Sequence, residues 1–458
     1  MHDLRRQALE SGKTVSRKAR SRVVSAKSSK PNSRLNSPAH SRAGSRNVSR
    51  QGSDDEDYFS DETAMSANSI DDILNSDDAD ISDESWQSDL QTYIEQIVDR
   101  KGSSTDGRAA SLASYAHTIM TRYAKDEVES RMDELVPSMV RSIKQETSED
   151  ETTAALKALG VTIITLDSDT IYDDVADVLK NTISHSESVT LKTGAIHTLG
   201  TAAYFGGTSE EEIEDLLTYF LEIVESDGLS ANAHDEPSVV TAALEQWGLL
   251  ATVLDDAQEA TDAAIEAFVD QLESADVNVQ IAAGENIALM FEKSYTPIEA
   301  GEKLSEDEVE DDETPPGAEK MIKRYDVYRR PDQLMHTLDQ LAKASDRSIS
   351  KKDRKSLHSN FADIRKTVEK PTRGPGYSTA IDQETGKMYG GGRLKFQVLM
   401  RRFNCTAEVK LDRWWKLRVY SALKKQLAAG FSHHFDENEA VSRCLPSYVT
   451  TKHWKRER

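Results

Sequence analysis

The chain has 458 residues, of which 37% are hydrophobic and 30% charged, and its formal net charge is −23. This length is enough for two or three folding units, but the low hydrophobic fraction indicates that part of the chain forms no packed core. No run of about 18 apolar residues is present for a membrane span, and the N-terminus lacks the apolar core of a secretory signal. These features favour a soluble intracellular protein in which Cys405 and Cys444, the two cysteines, are free thiols.

Residues 1–89 are predicted to be a disordered arm with two parts of opposite charge. Residues 1–52 contain 13 Lys or Arg and two Asp or Glu, whereas residues 53–89 contain 14 acidic residues and no Lys or Arg. Neither part has enough large apolar side chains to bury a core. Ser53 and Ser60 precede acidic residues and are therefore candidate phosphorylation sites, although an unregulated acidic linker explains the same pattern.

Residues 90–300 are predicted to form an armadillo-like or HEAT-like array of helical repeats. The inner helices are rich in apolar and small residues, which a helix packed on two sides requires. They are predicted at 151–166, 188–205, 238–254 and 276–292, after a first pair at 107–123 and 126–144. Ala155, Thr193, Ala243 and Ala283 occupy equivalent positions, with spacings close to the period of such repeats. An irregular helical bundle is the alternative.

The outer helices between them are amphipathic, with Asp and Glu crowded on the exposed side. Residues 90–342 carry a net charge of −34, whereas residues 343–458 carry +14. Acidic helix faces are usually solvated surface. The basic ends are typical of segments that neutralise phosphates, so RNA or a ribonucleoprotein is the natural partner. The alternative is that the basic ends fold back on the acidic body.

Residues 301–320 are predicted to be an acidic linker, residues 321–445 a smaller, mainly helical C-terminal domain, and residues 446–458 a basic tail. The chain alternates apolar and polar residues from 393 to 411, which predicts two short strands. The preceding Gly-rich stretch is predicted to be a loop or an irregular hairpin. Asp412 is a candidate N-cap for a helix that ends near Gly430 and buries Trp415, with cations on its other face.

The candidate RNA-binding residues are the cations of this C-terminal part. They are Arg401, Arg402, Arg413, Lys416, Arg418, Lys424, Lys425, Lys452, Lys455, Arg456 and Arg458. Trp414 and Trp415 are able to stack on bases, but paired tryptophans at the start of an amphipathic helix more often pack in a core.

No catalytic, cofactor or metal site is predicted. Gly386 and Lys387 are followed by Met388 where a phosphate-binding loop requires Ser or Thr. The adjacent His433 and His434 diverge on a helix and are expected at the surface or at a helix cap. The sequence thus predicts a protein that is not an enzyme, has no cofactor and no small-molecule substrate, and does not bind a membrane.

Four segments resemble the interferon-related developmental regulator family: Asp276–Glu292, Lys351–Ile364, Leu411–Leu445 and, in the arm, Tyr58–Ser66. The resemblance implies an armadillo-like domain, a family-specific C-terminal domain and no enzymatic activity. Members are described as transcriptional co-regulators, and animal members also as ribosome-bound repressors of translation. The chain departs from the animal pattern in its Ser/Arg-rich arm, in segments 302–320 and 371–392, and in its short tail.

Two functional hypotheses follow. The first is a regulator that associates with ribosomes or RNA through its basic segments, represses translation and resides in the cytoplasm. The second is a nuclear adaptor that binds transcription proteins, with Arg17–Arg22 as its import signal. On either hypothesis, Asp276–Glu292 is interpreted as the last well-formed inner helix before the acidic insert, with packing as its role.

Overall fold

The computed structural model describes residues 85–298, 321–343, 350–381, 388–391, 394–403 and 405–450. The predicted arm up to residue 84, the acidic linker 301–320, Ser53 and Ser60 lie outside these residues. So do Lys452, Lys455, Arg456 and Arg458.

The first part of the described chain is an array of helix pairs, as predicted, and the fold is mainly helical. Five outer helices alternate along the chain with five inner ones, and each helix packs on its neighbours in the array. In chain order they are α1 Trp86–Val98, α2 Thr105–Thr121, the short α3 Lys125–Glu129, α4 Met132–Gln145, α5 Glu149–Leu166, α6 Ile171–His185, α7 Val189–Phe205, α8 Glu210–Glu225, α9 Pro237–Ala251, α10 Gln258–Gln271 and α11 Val277–Lys293.

Several of these helices begin at a residue whose side chain accepts hydrogen bonds from the first N–H groups of the helix. The Ser104 hydroxyl accepts from the N–H of Gly107, and the Asp276 carboxylate accepts from Asn278 and Val279. At Ser209 a full capping box is formed with Glu212. These side chains satisfy N–H groups that a helix leaves unpaired, and they fix where each repeat begins.

Polar side chains cross-link neighbouring inner helices inside the core. The Tyr115 hydroxyl lies 2.9 Å from Thr162 Oγ1, and Thr198 Oγ1 donates to the carbonyl of Leu156 at 3.3 Å. Further along the array, Gln246 Nε2 donates to His197 Nδ1 at 2.8 Å. Asn286 Nδ2 donates to the carbonyl of Leu244 at 2.8 Å. Because each of these hydrogen bonds requires its two helices to lie in one relative position, together they help to fix the register of the stack.

The array continues beyond the acidic insert. Strands β1 Tyr295–Pro297 and β2 Met321–Lys323 pair with each other at the two ends of the acidic segment. Helices α12 Pro331–Ala342 and α13 Lys351–Glu369 then pack on each other, and α13 packs along α11 as a sixth inner helix. Asp276–Glu292 is therefore the last inner helix before the insert, as interpreted from the sequence, but the array itself extends further, because the insert interrupts the sequence period without interrupting the stack.

The rest of the chain combines strands and short helices. These are β3 Ser378–Ile381, β4 Met388–Gly390, β5 Lys395–Met400, β6 Cys405–Lys410, α14 Trp414–Leu427, α15 Phe431–Glu437, α16 Glu439–Cys444 and β7 Ser447–Thr450. Strands β3 and β4 pair as an irregular hairpin, one of the two alternatives for this stretch, and β5 and β6 are the two predicted strands. Strand β7 adds to β6 in antiparallel fashion, so the predicted basic tail begins with a strand.

Candidate functional site

A groove along the inner helices accommodates the C-terminal part of the chain. Helix α14 lies across α5, α9 and α11 and joins the hydrophobic core that the array itself forms. Glycines of the inner helices make this approach possible. A Cβ on Gly160 would lie 2.8 Å from Gln426 Oε1, and one on Gly248 would lie 2.8 Å from Arg418 Nε. A side chain at either position would force the Gln426 or Arg418 side chain to leave its place in the groove.

Gly284 has the same role for the neighbouring helix α13. A Cβ there would lie 2.9 Å from both Ile364 Cδ1 and Phe361 Cε1. The small residues of Asp276–Glu292 thus serve packing, as the sequence predicted, and the helix that they admit is the sixth inner helix.

Arg418 fixes the middle of α14 in the groove. Its Nη2 donates to the Ala282 carbonyl at 2.8 Å and to Asn286 Oδ1 at 2.7 Å, while Nη1 lies 3.1 Å from Glu285 Oε2. The side chain is only 5% exposed. Burial raises the pKa of Glu285, and the Arg418 guanidinium opposes this rise. A buried guanidinium with these partners serves a structural role, because no face of it is left for a phosphate.

Glu292 receives the N-terminus of α14. Its carboxylate oxygens accept from the backbone N–H groups of Trp414 at 2.9 Å and Trp415 at 3.2 Å. The acceptor of these helix-terminal N–H groups therefore comes from α11, while Asp412 pairs with Lys416 at 2.6 Å instead of capping. Burial raises the pKa of Glu292 to about 7, although these hydrogen bonds favour the ionised form.

Of the two tryptophans at the start of α14, Trp414 is buried, with 2% exposure, whereas Trp415 is half-buried. The indole Nε1 of Trp414 donates to Thr367 Oγ1 of α13 at 2.7 Å. The prediction of Trp415 as the buried residue was therefore wrong by one position. The expectation that the pair serves packing holds for Trp414, whose polar edge and ring are both satisfied inside the protein.

The other end of α14 is held by charges. Lys425 Nζ lies 2.6 Å from Glu245 Oε2 of α9, and Lys157 Nζ of α5 donates to the Lys425 carbonyl at 2.8 Å. Gln426 Nε2 donates to Thr201 Oγ1 of α7 at 3.2 Å. A cation at the carbonyl end of a helix is favourable for the helix dipole.

Helices α15 and α16 extend the contact to the first repeats. The ring of His434 is fully buried, and its Nε2 donates to the Ile119 carbonyl of α2 at 2.8 Å. Burial lowers the pKa of His434 to about 4, so the ring is neutral near pH 7. Asn438 Nδ2 donates to the Ile164 carbonyl of α5 at 2.8 Å. The histidine was expected at the surface or at a helix cap, and the second alternative matches position 434, because its ring donates to a carbonyl in the last turn of α2.

The predicted RNA-binding cations are divided between the groove and the surface. Arg418 is buried, so its predicted position on an outward basic face is wrong. Lys416 and Lys425 are engaged in ion pairs, Arg413 is half-buried, and Lys424 Nζ donates to the carbonyl of Ala428 at 3.3 Å.

Arg401 and Arg402 differ from these residues. Both are exposed in the turn Arg401–Phe403 between β5 and β6. The backbone N–H of Arg401 donates to Asp436 Oδ2 at 2.9 Å, which ties this turn to α15. Both side chains are therefore accessible to a partner.

Sequence reasoning missed Glu285, Asn286 and Glu292 as anchors of α14. Their positions in an apolar, small-residue helix carry a signal, since a polar residue on the packed side of such a helix needs a buried partner. The partners lie in Leu411–Leu445. Two of the segments that carried the family resemblance are therefore in direct contact.

Within the described ranges, no group of three or more His, Cys, Asp or Glu side chains is arranged to hold a metal ion. No helix described there combines the length and the apolar character needed to span a bilayer.

Known proteins are similar to this chain over the helical array. A family model described as interferon-related developmental regulator matches residues 56–369, more than half of the chain. The chain belongs to this family. The matched range ends at Glu369, the last residue of α13, so it includes the sixth helix pair.

Relatives match with modest identity. The chain is 24% identical to interferon-related developmental regulator 2 of Mus musculus over 371 residues, which is 78% of this chain and 72% of that protein. It is 22% identical to interferon-related developmental regulator 1 of Sus scrofa over 372 residues, with the same coverage. An uncharacterized protein of Schizosaccharomyces pombe is 30% identical over 235 residues, 51% of this chain and 46% of that protein. The chain thus matches about half of the yeast relative's length.

Proposed function

We propose that the protein is a non-enzymatic regulator of gene expression that associates with ribosomes or RNA through its basic segments and represses translation. The observation that carries this proposal is the exposed pair Arg401 and Arg402 at the tip of the β5–β6 hairpin. Guanidinium groups bind phosphate with two hydrogen bonds, and surface clusters of them bind RNA by releasing counterions. Membership of a regulator family supports the regulatory part.

The occupied groove supports a role for the C-terminal surface. Helical arrays usually bind partners along their concave side. Here the groove along the inner helices holds α14 of the same chain, anchored by Arg418, Glu292 and Lys425. An RNA partner would therefore meet the hairpin and sheet that α14 and α15 hold in place, and the array would act as their rigid support.

The proposal is tested by sedimentation of a lysate in sucrose gradients. The protein is expected to migrate with ribosomal particles at low salt and to leave them as salt rises, because phosphate contacts weaken with salt. Migration at the top of the gradient at every salt concentration would refute ribosome association.

A second candidate is a protein adaptor in the nucleus, and an acidic cavity of the array favours it. This cavity has a volume of about 790 Å³ and lies between the α8–α9 connection and the α10–α11 connection. Its acidic lining residues are Glu225, Asp227, Asp235, Glu236, Glu266, Asp270, Glu273 and Asp276. Such a surface suits a basic protein segment. Affinity purification after nuclease treatment separates the two candidates, since an adaptor retains protein partners while ribosomal proteins are lost.

A further inference from the structure

The three-stranded sheet β5–β6–β7 has one face on the protein and one face outward. Phe396 packs against Tyr420 and Phe431 with ring centroids 4.8 and 5.6 Å apart, which places its face of β5 on α14 and α15. Side chains alternate along a strand. Leu399 of β5 therefore lies on the opposite face. Tyr448 lies there too, because Glu408 pairs with Gln397 on one side and with Tyr448 on the other.

Large apolar side chains are concentrated on this sheet. Leu399 is 60% exposed, Phe403 in the adjoining turn 70% and Tyr448 61%. Val449 is 65% exposed but lies on the other face of the sheet, because it pairs with Ala407, which pairs with the buried Val398. In the described part of the chain, only three other large hydrophobic residues are comparably exposed, and they lie elsewhere. Single exposed apolar side chains need no explanation, whereas a cluster of them marks a surface that binds something.

Cations surround these side chains. Arg401 and Arg402 directly precede Phe403 in the turn, and Lys410 Nζ lies 5.2 Å from the centroid of the Tyr448 ring. Lys395 pairs with Glu408, the carboxylate of this face, at 3.1 Å. A surface that binds an apolar surface of another protein has few charged residues at its centre. Aromatic rings among cations are instead the combination that single-stranded nucleic acids require.

We infer that this surface, which we call the aromatic platform (Leu399, Arg401, Arg402, Phe403, Lys410 and Tyr448), binds single-stranded RNA. Bases stack on Phe403 and Tyr448, and the two arginines and Lys410 contact the phosphates. The ligand is single-stranded because a duplex hides the faces of its bases, which stacking requires. The inference rests on the proposed function and adds to it the site and the form of RNA.

The position of the platform suits this role. Leu399 and Tyr448 lie on strands two apart, roughly 10 Å from each other across the sheet. Phe396 fixes the inward face of the sheet on α14 and α15, and the hydrogen bond from the Arg401 N–H to Asp436 fixes the turn between β5 and β6. A platform held rigidly by the groove-bound helices orders few groups on binding, which favours affinity.

The test measures binding of a short fluorescent oligouridine and of a duplex RNA of equal length to the full chain by anisotropy. Phe403→Ala and Tyr448→Ala are each expected to weaken single-strand binding by at least about tenfold, since stacking supplies this much per base. Phe403→Tyr keeps a ring and is expected to retain binding. Leu229→Ala, which removes a side chain 59% exposed in the array, is the matched control and is expected to have no effect.

The result that overturns the platform is distinct from failure of the proposed function. If both alanine variants bind oligouridine as tightly as the unsubstituted chain while Arg401→Ala/Arg402→Ala binds weakly, RNA is bound by charge alone and the platform is wrong. Equal affinity for the duplex would refute the single-strand assignment, as would binding of a protein partner at this face without RNA affinity. Failure of the protein to migrate with ribosomes in sucrose gradients would refute the proposed function. It would not alter the anisotropy measurement, which uses the purified chain and RNA alone. Thermal melting of each variant checks that these exposed substitutions leave the fold intact.

Discussion

The carboxylate of Glu292 accepts a hydrogen bond from the backbone N–H of Trp414 at 2.9 Å, across 122 residues of chain. The contact joins the end of the inner helix α11 to the beginning of α14. It explains how a helix with a strongly basic sequence enters a groove between acidic repeats, because the groove supplies buried acceptors at the helix N-terminus and along its length.

Glu292→Gln is expected to alter how stability depends on pH. The pKa of Glu292 is raised from 4.5 to about 7 in the folded protein, mainly by burial. The folded state thus binds the proton more tightly than the unfolded state, and this carboxyl lowers stability as pH rises from about 4.5 to 7. Glutamine does not titrate. Relative to the unsubstituted protein, the variant should therefore gain roughly 2.5 kcal/mol between pH 5 and pH 7.5.

Urea unfolding of both proteins at the two pH values measures this difference directly. Other titrating groups contribute equally to both proteins and cancel. A difference in unfolding free energy that does not change with pH would contradict the assignment of a raised pKa to Glu292.

Arg418→Ala is expected to destabilise the protein strongly. The substitution leaves Glu285 and the acceptors on Asn286 and Ala282 without their buried partner. Breaking a buried ion pair from one side costs about 3–5 kcal/mol. Arg402→Ala is the matched control, because that side chain is exposed and such a change stays within about 0.5 kcal/mol. Equal unfolding midpoints for the two variants would mean that Arg418 does not anchor α14.

Gly248→Ala is expected to destabilise, against the usual effect of this substitution in a helix. Alanine is normally better than glycine by about 1 kcal/mol in a helix interior. Here the added Cβ would lie 2.2 Å from Asn286 Oδ1 and 2.8 Å from Arg418 Nε. We expect a loss of roughly 1–3 kcal/mol, as for other overpacked cores.

Chemical denaturation provides the measurement, with Gly391→Ala as the control. A Cβ on Gly391 would meet its nearest neighbour, Asp412 Cβ, at an ordinary 3.8 Å. Stabilisation by Gly248→Ala would contradict close approach of α14 to the inner helices.

The repeats and the two central strands could be predicted from the sequence, because apolar periodicity reports directly on which side of an element is buried. The two helices of the sixth pair could be predicted as helices, but their place in the array could not, since the acidic insert before Met321 removes the regular spacing. Burial of α14 was missed for a different reason. A helix with Arg418, Lys425 and Gln426 on one side resembles a solvated amphipathic helix, and only partners more than 100 residues away make that side an interior one.

In the candidate site, too, some residues could be predicted from the sequence and others could not. Arg401 and Arg402 could be singled out by charge and by their place between two strands, and the structure leaves both exposed. Phe403 and Tyr448 could not be recognised as surface residues, because strand β7 was not predicted and an exposed aromatic ring contradicts the usual pattern.

The most direct test of the proposed role compares two double substitutions in binding to purified ribosomes at low salt. Arg401→Ala/Arg402→Ala removes the exposed pair at the hairpin tip. Arg329→Ala/Arg330→Ala removes two exposed arginines that are consecutive in the sequence and lie just before α12. Both change the net charge equally. We predict that the hairpin variant remains unbound in a sedimentation assay while the array variant pellets with ribosomes like the unsubstituted chain. Equal binding of all three proteins would contradict the account.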